Sequence, residues 1–187
     1  MAKQMIMAAL RKSTDDPDSH LPWRLADFGA RGVSSMESAG LGGAAHLVNF
    51  LGSDTVTGLV YARRYYGETM AGFSVPAMEH STVCSWGRDG EVAAFENMIN
   101  QYGKPGAIFA CVSDAYDIDN AVENIWGSVL RQRVVDSGAT LVIRPDSGPT
   151  ETAAVKVVEQ AAASFGYSIN SKGYKVLATR DNGVPVV

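Results

Sequence analysis

The sequence predicts an α/β fold in which parallel strands are joined by helical crossovers, and three observations carry that reading. Short apolar runs of strand length alternate with longer segments of helical period. Ala107 to Val112 is continuously apolar, as a strand covered on both faces is, and Thr140 to Ile143 repeats the pattern. The polar residues suited to chemistry, Arg31, Asp54, His80, Asp114, Asp117, Arg144 and Asp146, follow directly after the runs. In α/β folds that is the C-terminal edge of the sheet, where sites lie, whether the sheet closes into a barrel or stays open. The pattern by itself fits both arrangements.

Taken in order, Lys3 to Lys12 has Met5, Ile6, Ala9 and Leu10 at helical spacing, and Ser13 to Pro22 reads as a loop. Trp23 to Phe28 reads as a strand that turns at Gly29 and Gly32. A helix then starts at Ser34, where Ser34 and Glu37 have capping-box spacing. A short apolar run, Leu47 to Leu51, precedes the turn Gly52-Ser53-Asp54. Thr55 to Tyr66 is read as a helix with Val56, Leu59, Val60 and Tyr66 inward, stopped by Gly67. Phe73 to Ala77 reads as a strand that delivers Glu79 and His80 just past its end. Helices are expected over Glu91 to Tyr102, Asp117 to Val135 and Pro149 to Phe165, with Pro149 in a first turn. Tyr174 to Leu177 reads as the last strand.

At 187 residues the chain is one domain's worth, with no linker or internal repeat dividing it. A net charge of −4 offers no reason to propose nucleic-acid or membrane-surface binding. No apolar stretch approaches the ~20 residues of a membrane span, and the N-terminal Met-Ile-Met-Ala-Ala-Leu run is too short for a signal peptide. Cys84 and Cys111 lack metal or redox spacing and are expected as buried thiols in a reducing, cytoplasmic setting.

Several residues carry two local readings. Phe28 is a core aromatic or an exposed stacking face. Asp54 is a helix N-cap or a recognition carboxylate. His80 is structural, or it is a reactive imidazole beside Glu79. Arg144-Pro145-Asp146-Ser147-Gly148 is an ordinary strand-to-helix turn or a site loop. Gly40-Leu41-Gly42-Gly43-Ala44-Ala45 fits a loose dinucleotide pattern, but it lies within a helical stretch rather than after a strand, so that reading is rejected. No Walker A loop, H-E-x-x-H or serine nucleophile elbow is present, and D-F-G at Asp27 lacks the companion motifs of a kinase.

The segments D-F-G-A-R-G (Asp27 to Gly32), G-F-S-V-P-A-M-E-H-S-T (Gly72 to Thr82), S-D-A-Y-D-I (Ser113 to Ile118), I-R-P-D-S-G (Ile143 to Gly148) and N-S-K-G-Y-K (Asn170 to Lys175) occur in one order and at similar spacings to those of nicotinamide phosphoribosyltransferases, a family the chain resembles over nearly its whole length. The resemblance selects the barrel, in the irregular (β/α) form of the type II phosphoribosyltransferases. Six candidate strands are part of such a barrel, so it is incomplete in this chain. The chain then reads as a single domain over 1–187, a central fragment of a longer protein, catalytically inert on its own or acting through subunit association. Its last residues, Ala178 to Val187, diverge from the family pattern, and Ala30 stands where an aromatic is common.

The resemblance implies a reaction of nicotinamide with phosphoribosyl pyrophosphate, giving nicotinamide mononucleotide and pyrophosphate. Mg²⁺ would accompany the pyrophosphate, ATP would be the phosphoryl donor to a histidine, and the full-length enzyme would be a homodimer. It assigns His80 to the phosphorylated histidine, with Glu79 and Asp117 orienting it, and Asp146 to the neighbourhood of ribose and metal. It places Phe28, Asp54 and Arg144 in one nicotinamide pocket, Arg31 on a phosphate and Ser113 among the substrate-binding residues. A carboxylate at Asp54 favours an amide over an acid substrate, since nicotinate would meet it with a like charge. Nicotinate phosphoribosyl transfer is the rival activity.

Overall fold

The structure, a computed structural model, describes residues 1–177. The divergent tail at 178–187 lies outside the described residues. Packing divides the described residues into two compact units, Met1–Ser74 with Asn170–Tyr174, and Val75–Ile169 with Lys175–Leu177.

In the first unit, α1 (Ala2–Ser13) buries Leu10 against Leu21 and Phe50. The expected loop Ser13 to Pro22 contains a short helix instead, α2 (Pro17–His20), followed by a 3₁₀ turn over Leu21–Trp23. The Asp16-Pro17 pair explains the difference: Asp16 accepts the Ser19 N–H at 3.2 Å, and Pro17 takes the first helical position. The strand expected from Trp23 to Phe28 shrinks to β1 (Ala26–Asp27). The next helix, α3 (Met36–Leu47), begins one residue later than the capping-box spacing predicts. Ser35, not Ser34, is the cap and accepts the Ser38 N–H at 3.0 Å, which leaves Glu37 to complement the helix dipole. The run Leu47 to Leu51 closes this helix and its turn, and the strand proper is β2 (Gly52–Ser53).

Helix α4 (Val56–Tyr66) ends on Gly67, whose φ of 73° is a left-handed cap. It buries Gly58 and Ala62, while Val56, Val60 and Tyr66, expected inward, are 66%, 53% and 75% exposed. The reason lies in its partner. A Cβ on Gly43 of α3 would stand 2.8 Å from the Gly58 Cα, and one on Gly40 would stand 2.5 Å from the Tyr61 ring. The two helices therefore meet backbone to backbone, and the small face of α4 turns inward instead of its larger apolar residues. The glycines rejected above as a nucleotide fingerprint thus form a helix contact. β1 and β2 pair in parallel, Ala26 with Gly52 and Asp27 with Ser53, and Phe73 bridges Gly52 on the other side.

In the second unit, α5 (His80–Ser85) precedes α6 (Glu91–Tyr102), which has the predicted bounds and buries Ala94, Phe95, Met98 and Ile99. Strand β3 (Ile108–Val112) is buried from Phe109 onward. The expected helix Asp117 to Val135 is built in three parts, α7 (Ile118–Asn120), a π-helical stretch Ala121–Val129 and α8 (Arg131–Ser137). The Leu130 N–H reaches the Ile125 carbonyl at 2.8 Å, the wider π spacing, and Gly138 ends the run at φ 71°. Trp126 stacks on Phe95 with ring centroids 4.5 Å apart, at the centre of the core.

Strand β4 (Thr140–Arg144) pairs in parallel with β3 from Ile108↔Thr140 to Val112↔Arg144. Helix α9 (Thr150–Phe165) follows, capped by Pro149 rather than containing it. The predicted strand Phe73 to Ala77 is only a pair of isolated bridges, and Ala77 supplies the one to Ala110 of β3. Pro76 has no N–H to donate, so its carbonyl alone joins the ladder, accepting from Ala110 at 2.8 Å. β5 (Tyr167–Ile169) pairs antiparallel with β6 (Lys175–Leu177). The sequence reading missed β5 because every residue of it is exposed and no burial alternation marks it.

The described residues are therefore a mixed α/β structure with three two-stranded sheets and no closed barrel. No helix among them is long and apolar enough to cross a membrane.

The α3–α4 contact makes a prediction in two directions. Gly42 has open space around its Cβ position, so Gly42→Ala should raise unfolding stability by roughly 0.5–1 kcal/mol through helix propensity. Gly43→Ala would press on the Gly58 backbone and should cost about 1–3 kcal/mol. Urea melts of the two variants should shift to opposite sides of the wild type, and a shift in the same direction would contradict the close packing.

Candidate functional site

The second unit gathers its polar groups at the C-terminal end of the parallel pair. The Met78 N–H donates to the Ala110 carbonyl at 2.9 Å, which carries the chain along β3 and leaves His80 at its end. The Ser113 N–H donates to the Arg144 carbonyl at 3.0 Å, continuing the β3–β4 ladder by one step. Asp114 is the next residue, with its side chain only 6% exposed.

Asp114 is the hub. Its Oδ1 meets the His80 Nε2 at 3.0 Å. Its Oδ2 accepts the Asp146 N–H at 2.9 Å and the Ser147 hydroxyl at 2.5 Å. Burial pushes the Asp114 carboxyl up, but the hydrogen bonds from Ser147, His80 and the Asp146 backbone, with the His80 charge, outweigh it and hold the carboxyl below its usual range. The other imidazole nitrogen, Nδ1, faces the Asp146 Oδ2 at 3.7 Å. Asp146 also lies 3.3 Å from an Arg144 terminal nitrogen, and the other terminal nitrogen donates to the Met78 carbonyl at 3.2 Å. The Arg144 Nε is buried without a partner. His80, itself 43% exposed, stands between two carboxylates at an open surface.

Several expected placements change. The imidazole is held by Asp114 and Asp146. Asp117 instead caps α7, accepting the Asn120 N–H at 3.1 Å, because an aspartate just ahead of a helix is drawn to its unpaired N–H groups. Glu79 accepts the Ser81 hydroxyl at 2.9 Å. Ser113, expected among the substrate-binding residues, is wholly buried: its hydroxyl donates to the Cys111 carbonyl at 3.0 Å and accepts the Trp126 indole N–H at 3.1 Å, so it ties the core together. Cys111 is buried, as expected, and burial pushes its thiol up; Cys84 is exposed, contrary to expectation. Asp114 was legible only as a polar residue after a strand, and its place in the S-D-A-Y-D-I segment was the available signal.

The first unit has its own strand-end group. Asp27 pairs with Ser53, so the residues that follow, Phe28 and Asp54, emerge side by side. The Asp54 N–H is fixed to the Asp27 carbonyl at 2.8 Å, and the Ser74 hydroxyl donates to its carboxylate. Phe28 is 54% exposed, which removes the core-aromatic reading. Asp54 precedes Thr55, and α4 has no side-chain cap, which removes the N-cap reading as well. Arg31 lies in the 3₁₀ turn Gly29–Gly32, exposed. His46 is structural, its Nε2 2.8 Å from the Gly52 carbonyl.

The profile of the nicotinate phosphoribosyltransferase (NAPRTase) family matches residues 23–186. The chain belongs to this family. It is 55% identical over 179 residues to the nicotinamide phosphoribosyltransferase of Xanthomonas campestris pv. campestris, an alignment covering 94% of this chain and 37% of that protein. It is 32% identical over 187 residues to the nicotinamide phosphoribosyltransferase of Mycoplasma pneumoniae, covering 93% of this chain and 39% of the relative. A third, from Acinetobacter baylyi, is 33% identical over 174 residues, covering 82% and 34%. The chain thus spans well under half the length of these curated relatives. Within the family match lie the Asp114 cluster and the Phe28–Asp54 pair alike.

The Asp114 cluster predicts an acid limb of stability. A carboxyl held below its ordinary value of 3.8 contributes stability that is present above about pH 4 and is lost as pH falls through its folded-state value. Asp114→Asn should therefore be less stable at neutral pH, and its stability should decline less steeply than the wild type's below pH 4. Denaturant melts between pH 2.5 and 7 measure both, and parallel curves for the two proteins would contradict the assignment.

Proposed function

We propose that this chain carries part of the active site of a nicotinamide phosphoribosyltransferase, which joins nicotinamide to phosphoribosyl pyrophosphate and releases pyrophosphate. The observation that carries the reading is the His80–Asp114–Asp146 cluster at the end of β3 and β4, in a chain more than half identical to a relative of that name. The finer fold reading goes with it: the two parallel pairs are pieces of an irregular (β/α) barrel, and the enzyme acts in the cytoplasm as a homodimer.

In this reading Asp54 accepts a hydrogen bond from the carboxamide nitrogen of nicotinamide, and the exposed ring of Phe28 stacks on the pyridine. Arg144 belongs to nicotinamide binding and Arg31 to a phosphate, for which its planar fork of donors is suited. The pyridine nitrogen attacks the anomeric carbon as pyrophosphate departs, and positioning and electrostatics supply most of the catalysis.

His80 is the phosphoryl acceptor from ATP. In the tautomer that donates Nε2–H to Asp114, Nδ1 carries the lone pair; it bonds to the γ-phosphorus as the bond to ADP breaks. Asp114 and Asp146 take the orienting role that resemblance assigns to Glu79 and Asp117. No group of three or more His, Cys, Asp or Glu side chains among the described residues could hold a metal ion. Mg²⁺ would therefore enter with the pyrophosphate and neutralise its charge, and Asp146 would be the carboxylate of this cluster that helps to hold it.

Two assays test the reading. In a protein of the relatives' full length carrying this segment, nicotinamide should outcompete nicotinate. Asp54→Asn should lower kcat/KM for nicotinamide by roughly 10- to 100-fold, the size of a lost charge-assisted hydrogen bond. Equal use of both substrates would favour the nicotinate reading. A polypeptide of these 187 residues alone should turn over at least about a hundredfold more slowly than a full-length relative, since the charge-assisted phosphate contacts supplied by the rest of the enzyme each contribute roughly 1.5–3 kcal/mol. Comparable turnover would overturn the claim that the site is partial.

A further inference from the structure

The second unit has a cavity of about 380 Å³ lined by residues of the 3₁₀ turn Arg88–Gly90, α6, α7 and the π-helical stretch. None of His80, Asp114 or Asp146 lines it. Its polar lining is Arg88, Glu91, Tyr116, Asp117, Asn120 and Asn124, with Val92, Ile125 and Val129 as the apolar wall. Glu91 is only 4% exposed, and its Oε1 is buried with no hydrogen-bond partner. A buried carboxylate oxygen without a partner is costly and calls for an explanation.

The surrounding groups show what would satisfy it. Arg88 is the one cation among the described residues of the lining, and its guanidinium lies over the Tyr116 ring at 4.8 Å. Asp117 spends one oxygen on the Asn120 N–H, and Asn124 donates its amide to the Asn120 side-chain oxygen at 3.0 Å. The second Asp117 oxygen and the Asn124 carbonyl are thus left as acceptors. With both carboxyls ionised, two negative charges face one positive charge. Burial pushes the Glu91 carboxyl up, Arg88 opposes that and Asp117 adds to it, so the balance around Glu91 lacks a positive charge.

We propose that this cavity binds a small organic cation through a primary ammonium group, with Glu91 as the buried anchor, Asp117 and Asn124 as further acceptors, and Val92, Ile125 and Val129 covering a short alkyl body. An ammonium presents three donors and no acceptor, which matches an acceptor-rich wall, and its single charge neutralises the lining. The cavity volume admits a small molecule of this class.

The test uses the full chain and does not involve His80 or turnover, so it is independent of the transferase reading. Propylammonium is titrated at pH 7 with propanol, its neutral near-isostere, as the control, and binding is followed by two-dimensional NMR at the Asn120 and Asn124 side-chain amides. Saturable shifts are expected with propylammonium, with at least tenfold weaker binding of propanol. Glu91→Gln keeps the shape and should weaken propylammonium about tenfold or more. Asp117→Asn keeps the α7 cap and should weaken it by a smaller factor. Absence of saturable shifts at those amides, equal binding of propanol, or unchanged affinity in both variants would each overturn the proposal.

Discussion

A nearly buried carboxylate survives in its charged form only where donors surround it, and the end of the β3–β4 pair is built to supply them. Asp114 receives the Asp146 N–H, the Ser147 hydroxyl and the His80 imidazole on its two oxygens. The donors arrive from two segments, His80 from one and Asp146 with Ser147 from the other, so the one carboxylate fixes the start of α5 against the turn that follows β4. Removing it would leave three donors unsatisfied at once, and the imidazole would lose the group that decides its tautomer. The local architecture and the chemistry available at His80 are consequences of the same contact.

The first unit rests on a different constraint, the absence of side chains. Gly40, Gly43 and Gly58 allow α3 and α4 to approach until backbone meets backbone, and this exposes apolar residues that would otherwise be expected inside. The contact holds the strand that ends at Ser53, and with it the emergence of Asp54 beside Phe28. Each unit therefore presents polar chemistry at the C-terminal end of a parallel pair, one by way of helix packing and the other by a carboxylate hub.

Membership in the nicotinate phosphoribosyltransferase family and the names of the relatives agree with the motif order in the sequence. The structure adds a redistribution of roles. Asp117 and Ser113 belong to helix capping and to the core, whereas Asp114 and Ser147 belong to the cluster around His80. Neighbours within S-D-A-Y-D-I are separated this way because the strand ends between them. Ser113 still obeys the ladder, Asp114 points to the open end, and Asp117 is already at a helix start.

The sequence by itself determined the alternation of elements, the two apolar strands of the second unit, the bounds of α6, the placement of polar residues at strand ends, and the family. The elements and strand ends are encoded locally, in runs and periods that short-range physics reads, whereas the family shows in the order and spacing of the motifs. Only the tertiary structure decided which face of α4 is buried, that a π-helical stretch interrupts the helix after Asp117, that β5 pairs with β6, and which carboxylates meet His80. The helix face and the carboxylates depend on partners outside their own element, Gly43 for Gly58 and Asp114 for His80, and β5 is defined only by the strand it meets, Ile169 against Lys175. Apolarity ranks the faces of one helix and propensity ranks its residues, but the closest approach of two backbones and the direction of a carboxylate are set by what packs against them.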